Sequence, residues 1–152
     1  MTELTPRQQR EKALHNAWAA EINPETLLVE ESFKAITAPE NRFILRFFNP
    51  IRGLRVLDLG AGAGEAALYF SSHGAHVSAV DISPAQLGVL RRAAAQRNLR
   101  VETVAAPAEK LPWPDATFDA VYGNGVLHHT EFKAAVPEVL RVLKPGGRGA
   151  FI

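Results

Sequence analysis

The stretch RVLDLGAGAG, residues 55–64, decides the fold. Its first half sets Val56, Leu57 and Leu59 around Asp58, the near-continuous apolar texture of a strand buried on both faces. Its second half puts glycine at positions 60, 62 and 64. Glycine loses more backbone freedom on folding than any other residue, so these three serve a chain that must turn tightly or lie bare against something. In open parallel sheets that something is a ligand, held outside the carboxyl end of the strand.

Working outward from Leu54, short apolar runs alternate with helical patterns. GEAALYFSSHG predicts a helix stopped by Gly74, and AHVSAVD a second strand. Ser83 caps and Pro84 opens a helix carrying Leu87, Leu90 and Ala94 and ending near Asn98. RVETVAA is a third strand, PAEKLPWPDAT a loop, FDAVYGNG a fourth strand and EFKAAVPEVLRVLK a helix that Pro137 should kink or restart. After the turn KPGG, RGAFI begins a fifth strand. This alternation predicts an α/β, doubly wound, mostly parallel sheet.

Residues 1–50 read as an N-terminal helical segment and 51–152 as the α/β core of a single domain. Thr5, Pro6 and Gln8 form a capping box, and Ala13, Leu14, Ala17 and Trp18 follow at helical spacing. A second helix is expected over 25–36 and a third from 39 or 40 to about 48, with Phe43, Ile44, Phe47 and Phe48 packing under the sheet.

The 152 residues carry a net charge of +1 and no cysteine, which excludes disulfides, thiolate metal sites and cysteine nucleophiles. Near-neutral charge argues against a whole-surface nucleic-acid footprint, and Arg91, Arg92, Arg97 and Arg100 read as a solvated helix face. No signal peptide or membrane-length apolar run is visible, so a soluble, cytoplasmic chain without nucleic-acid or membrane partners is expected.

Spacing narrows the ligand. A dinucleotide fingerprint needs a third glycine where Glu65 stands, and a carboxylate there suits a pyrophosphate poorly. A sulfonium cation meets no such objection. Asp81, ending the second strand, can accept from both hydroxyls of a ribose, with Ile82 against the adenine face. Alone, Asp81 reads equally as a turn residue before Ser83; beside the glycine loop, the ribose role is favoured.

The ordered segments VLDLGAGAGEAALYF, VSAVDIS, AEKLPWPDATFDAVYGNGVLHH and EVLRVLKPGGRGAFI resemble the class I S-adenosylmethionine-dependent methyltransferases of the methyltransferase-11 type. That resemblance implies methyl transfer to a small-molecule acceptor by in-line displacement. It implies S-adenosylmethionine as cofactor, with S-adenosylhomocysteine as product. Asp58 would lie near the cofactor's amino end, and Gly60, Gly62 and Gly64 would admit its methionine and ribose. Asp81 would take the ribose hydroxyls and the Ala108 N–H the adenine. Gly123 and Asn124 would border the methionine and methyl, with Trp18 as an aromatic lid.

Two departures stand out. Pro107 occupies the position where the family usually has an aspartate for the adenine amino group, leaving Glu109 as a candidate replacement. The sequence also ends inside the fifth strand, where the family adds an antiparallel hairpin. An unpaired edge predicts a truncated product, a homodimer or an exchanged segment. Both departures leave open an alternative, a module that binds the cofactor without transferring its methyl group.

His129 is the candidate general base for a hydroxyl acceptor, with packing beside the site as its alternative role. No metal site is expected, because His128 and His129 have no further ligand within sequence reach, and His73 and His76 flank a turn. Trp113 reads as a loop anchor on the sheet.

Overall fold

A computed structural model of the protein describes residues 3–152. At its centre the strands β1 (Arg55–Leu59), β2 (His76–Asp81), β3 (Val101–Ala105), β4 (Phe118–Gly123) and β5 (Leu143–Phe151) form one sheet in the order β3-β2-β1-β4-β5. Every pairing is parallel, so strand order reverses between β1 and β4. The expected doubly wound α/β class is the observed one, and the reversal opens a crevice where such sheets bind ligands.

Helices cover both faces. Helix α1 is Pro6–Ala19, α2 Glu31–Lys34, α3 Pro39–Phe48, α4 Glu65–Ser72, α5 Pro84–Gln96 and α6 Phe132–Val142. Val56, Ala79, Ala120 and Tyr122 point to one face, where Phe33, Ile44, Phe48, Phe70, Leu87 and Leu90 of α2 to α5 bury against them. Leu57, Leu59 and Val121 point to the other, against Ala135, Val139 and Val142 of α6. Alternation along β1 thus places Asp58 among the aromatics, paired between Ala79 and Tyr122.

Where sheets of this kind often have a helix, the chain from β3 to β4 is a loop, and Arg141 is a principal tie on it. Arg141 of α6 donates to the Leu111 and Trp113 carbonyls and pairs with Glu138 and Asp115. The guanidinium holds the Glu138 carboxyl below its usual range. Trp113 stands edge-on to Phe118 at 5.4 Å, the anchoring role expected of it.

Several local expectations change. The capping box at Thr5 forms, but Ala13, Leu14, Ala17 and Trp18 face outward, while Gln8, Glu11, His15 and Asn16 face the body of the protein. The reason is polar: Asn16 Oδ1 accepts from Ser83 Oγ at 2.7 Å, and Gln86 Nε2 donates to the His15 carbonyl. The helix expected over 25–36 breaks into a 3-10 turn, Pro24–Thr26, and the single turn of α2. Leu27 turns extended there, letting Val29 and Phe33 enter the core.

On α3, Ile44 and Phe48 are buried as expected, with Asn41 beside them, whereas Phe43 and Phe47 stay on the outer side. The two pairs are each spaced by four, on adjacent stripes, and one stripe suffices to meet the sheet. Helix α6 runs through Pro137 as a single element. Strand β5 begins earlier than expected: Leu143 pairs with Phe118, Lys144–Gly147 bulge out with Gly146 left-handed at φ 77°, and pairing resumes at Arg148. Among the described residues, no helix is long and apolar enough to cross a membrane.

Candidate ligand site at the carboxyl end of the sheet

A cavity opens beyond the carboxyl ends of β1, β2 and β4, closed on its outer side by α1. Its floor is the glycine loop. Gly60 and Gly62 are left-handed, at φ 67° and 54°, and no atom lies within 4 Å of where a Gly62 side chain would start. Gly64, left-handed at φ 95°, serves packing instead: a Cβ there would meet Leu90 Cδ1 at 2.3 Å. One glycine of the three therefore holds α4 against α5, and Gly62 lies bare at the cavity.

Asp81 stands at the tip of β2, almost wholly buried. Its Oδ2 accepts from the Gly62 N–H at 2.9 Å and its Oδ1 from the Ser83 N–H at 2.8 Å. Two backbone donors fix the carboxylate and leave each oxygen a lone pair for a further donor. Ile82, Pro107, Ala108 and Asn124 line the same space.

Gly60, Gly62, Asp81, Ile82, Ala108, Asn124 and His129 all line the cavity; Asp58, Gly64, Gly123 and Trp18 do not. Gly123 is where β4 passes under Phe151 and Val126, either of which a side chain would strike within 3 Å. Trp18 is half-exposed, its ring edge-on to His15 at 5.0 Å. His15, one turn earlier on α1, takes the position at the cavity.

Asp58 lies beneath the glycine loop. It is 2% exposed, and its Oδ2 has no hydrogen-bond partner among the described residues. Burial pushes its carboxyl up to about 7, opposed by the Ala67 N–H at the start of α4 and reinforced by the negative charges of Asp81 and Glu65. Burial and the Asp58 charge in turn raise Tyr122, whose hydroxyl donates to Asn41 Oδ1 at 3.0 Å.

Glu109 is at the cavity but occupied. Its carboxylate takes Arg7 at 2.7 Å, Gln8 Nε2 at 3.1 Å and the Glu131 N–H at 2.8 Å, clasping α1 to the start of α6. These bonds leave Glu109 poorly placed to replace the acceptor missing at Pro107.

The opposite wall brings together residues that sequence order keeps apart. Gln8, Glu11 and His15 come from α1, and His129 and Thr130 from the turn after β4. Glu11 Oε2 lies 3.1 Å from His129 Nδ1 and 3.7 Å from His15 Nε2. The only sign of this in the sequence is the spacing of Glu11 and His15, four apart on one helical stripe.

Glu11, Asp81 and Glu109 supply carboxylates to the cavity, and among the described residues no lysine or arginine lines it. That charge pattern suits a cationic ligand bearing vicinal hydroxyls and opposes a pyrophosphate.

Comparisons with known proteins bear on the family and the fold. The family model of methyltransferase-11, described as a methyltransferase domain, matches residues 57–151. A demethylmenaquinone methyltransferase of Clavibacter sepedonicus is 46% identical over 100 residues, 65% of this chain and 40% of that protein. An S-adenosylmethionine-dependent methyltransferase structure from Mesorhizobium loti is 31% identical with a TM-score of 0.65, covering 78% of this chain and 53% of that one. The [4+2]-cyclase SpnF is 27% identical with a TM-score of 0.75, covering 95% and 60%. The chain spans between about two fifths and about half the length of the curated relatives it matches.

Proposed function

The chain belongs to the methyltransferase-11 domain family, and on that premise we propose that it binds S-adenosylmethionine in the glycine-loop cavity and transfers a methyl group to a small-molecule acceptor. The carrying observation is Asp81, an acceptor-only carboxylate held by two backbone N–H groups beside bare Gly62 in a cavity that, among the described residues, no lysine or arginine lines. Bound there, S-adenosylmethionine supplies an electrophilic methyl on a good leaving group.

What remains for the protein is position and electrostatics. Asp81 takes the two ribose hydroxyls on its free lone pairs, and Ile82 offers an apolar face to the adenine. The Ala108 N–H would serve the adenine edge. Pro107 contributes shape alone, having neither an N–H nor a polar side chain, so adenine recognition here rests on backbone and packing. Gly62 and Asn124 border the methionine portion. Carboxylates around the cavity favour the sulfonium and ammonium charges over a neutral thioether, which also favours release of S-adenosylhomocysteine after transfer.

The acceptor enters on the wall of Gln8, Glu11, His15, His129 and Thr130. His129, on this wall, would receive the proton of a hydroxyl acceptor. Transfer is the favoured reading over binding without transfer, because this polar wall faces the cavity and, among the described residues, Glu11 Oε2 has no hydrogen-bond partner.

Asp81→Ala tests the assignment. S-adenosylhomocysteine affinity should fall by on the order of a hundredfold, since two hydrogen bonds to a charged acceptor are lost. An unchanged dissociation constant would refute the ribose role.

A further inference from the structure

We propose that Glu11, His15 and His129 form a binding site for a divalent transition-metal cation of the zinc type at the acceptor wall of the cavity. One carboxylate oxygen and one nitrogen from each imidazole all lie within 4.8 Å of one another. Two of the separations are given by the ion-pair distances, 3.1 Å and 3.7 Å. Ligands about 2.05 Å from a tetrahedral ion stand about 3.3 Å apart, so both values bracket the required spacing.

Hydrogen bonding does not account for the arrangement. Glu11 Oε2 is buried and has no hydrogen-bond partner among the described residues, His129 Nδ1 at 3.1 Å included. A carboxylate oxygen and two imidazole nitrogens gathered within 4.8 Å of one another, with no hydrogen bond accounting for the Glu11 oxygen, are three lone-pair donors that one cation would satisfy. Two nitrogens and one oxygen favour zinc, cobalt or nickel over magnesium or calcium, which take all-oxygen shells.

Supports behind the ligands are also in place. Trp18 stands edge-on to His15, and the two histidine rings meet edge-on at 5.7 Å with an interplanar angle of 87°. The Glu109 clasp holds α1, and so Glu11 and His15, against the turn carrying His129. Three protein ligands leave a coordination position facing the cavity, the arrangement of catalytic rather than structural zinc sites. Under the proposed methyl transfer, on which this consequence rests, that position takes the acceptor's oxygen. Its hydroxyl ionises near neutral pH and releases its proton to solvent, giving His129 a ligand's role in place of a base's.

The test uses the metal alone. Chelator-treated full chain is titrated with Zn2+ by calorimetry and with Co2+ by visible absorption. One ion per chain with micromolar or tighter affinity is expected, together with the d–d bands of a four- or five-coordinate Co2+ site. Glu11→Gln and His15→Ala should each weaken binding at least about tenfold, while His128→Ala, outside the cluster, should leave it unchanged. Circular dichroism of each metal-free variant checks its fold, and the Co2+ bands report the ligand set independently of affinity. Absence of binding up to ~1 mM, or affinity and bands indifferent to Glu11→Gln and His15→Ala, overturns the site. S-adenosylhomocysteine binding by the metal-free chain is measured alongside. Its failure would count against the proposed function and leave the metal result standing.

Discussion

Replacing Asp58 by asparagine should invert the usual expectation that neutralising a family carboxylate weakens the protein. Asp58 is 2% exposed between Ala79 and Tyr122, and burial raises its carboxyl from 3.8 to about 7. The folded state therefore holds the proton more tightly than the unfolded chain. The stability this proton contributes is complete below the unfolded value near 4 and is lost as pH rises through about 7. A span of about three pH units at 1.36 kcal/mol each makes the loss roughly 4 kcal/mol. Asp58→Asn keeps the shape and cannot ionise, so the loss disappears. Asp119 and Glu138, both held below their usual range by cationic neighbours, titrate with the opposite sign but equally in both proteins. Urea unfolding of wild type and variant at intervals from pH 4.5 to 8.5 isolates the difference. The variant should gain on wild type by roughly 3 kcal/mol as pH rises from 4.5 to about 7, where the folded carboxyl ionises, level off above that, and overtake wild type at the alkaline end. A difference that stays constant within about 1 kcal/mol would show that Asp58 ionises normally, and the account of its burial would fall.

Gly64→Ala should cost roughly 2–4 kcal/mol, from a left-handed alanine and a Cβ driven into Leu90. The cost should shrink in a Leu90→Ala background, and strict additivity in denaturant unfolding would exclude the steric explanation. Arg141→Ala removes the donors that hold the Leu111 and Trp113 carbonyls and leaves Glu138 only the Leu111 N–H, so stability should drop by about 2 kcal/mol. A change within measurement error would mean the loop after β3 is held without Arg141, by its packing and by the bonds of Leu111 and Glu109. Glu109→Ala should loosen α1 selectively: amide exchange along α1 rises about tenfold while α5 is unchanged, and equal acceleration in both helices would show that the clasp is not local.

Legibility in the sequence followed the source of each constraint. The strands, α4 and α5 are stabilised by burial and by caps adjacent in sequence, so periodicity, Ser83-Pro84 and Gly74 located them closely. Helix α1 was different. Its apolar residues follow helical spacing, yet the stripe turned inward is Gln8, Glu11, His15 and Asn16, because its partners are polar groups more than sixty residues away. The break between α1 and α3 was hidden for the same kind of reason: Val29 and Phe33 are drawn to a core that local propensity does not describe.

At the site, the glycines and Asp81 could be read from strand-end position alone. Their separate duties could not, since Gly64 answers to Leu90 and only Gly62 lies bare at the cavity. The wall joins Glu11 and His15 of α1 to His129, more than a hundred positions on, and only the four-residue spacing of the first two shows in the sequence. Asp58 and Trp18 were assigned by resemblance. Alternation along β1 turns Asp58 away from the cavity, and the rotation of α1 puts His15 there in place of Trp18.

The central claim is that this cavity holds a sulfonium nucleoside. Calorimetric titration of the wild-type chain with S-adenosylmethionine, S-adenosylhomocysteine and NAD tests it directly. One-to-one binding of both adenosyl compounds, with no heat from NAD, is the predicted result. Preferential binding of NAD, or no binding of either adenosyl compound up to ~1 mM, would contradict it.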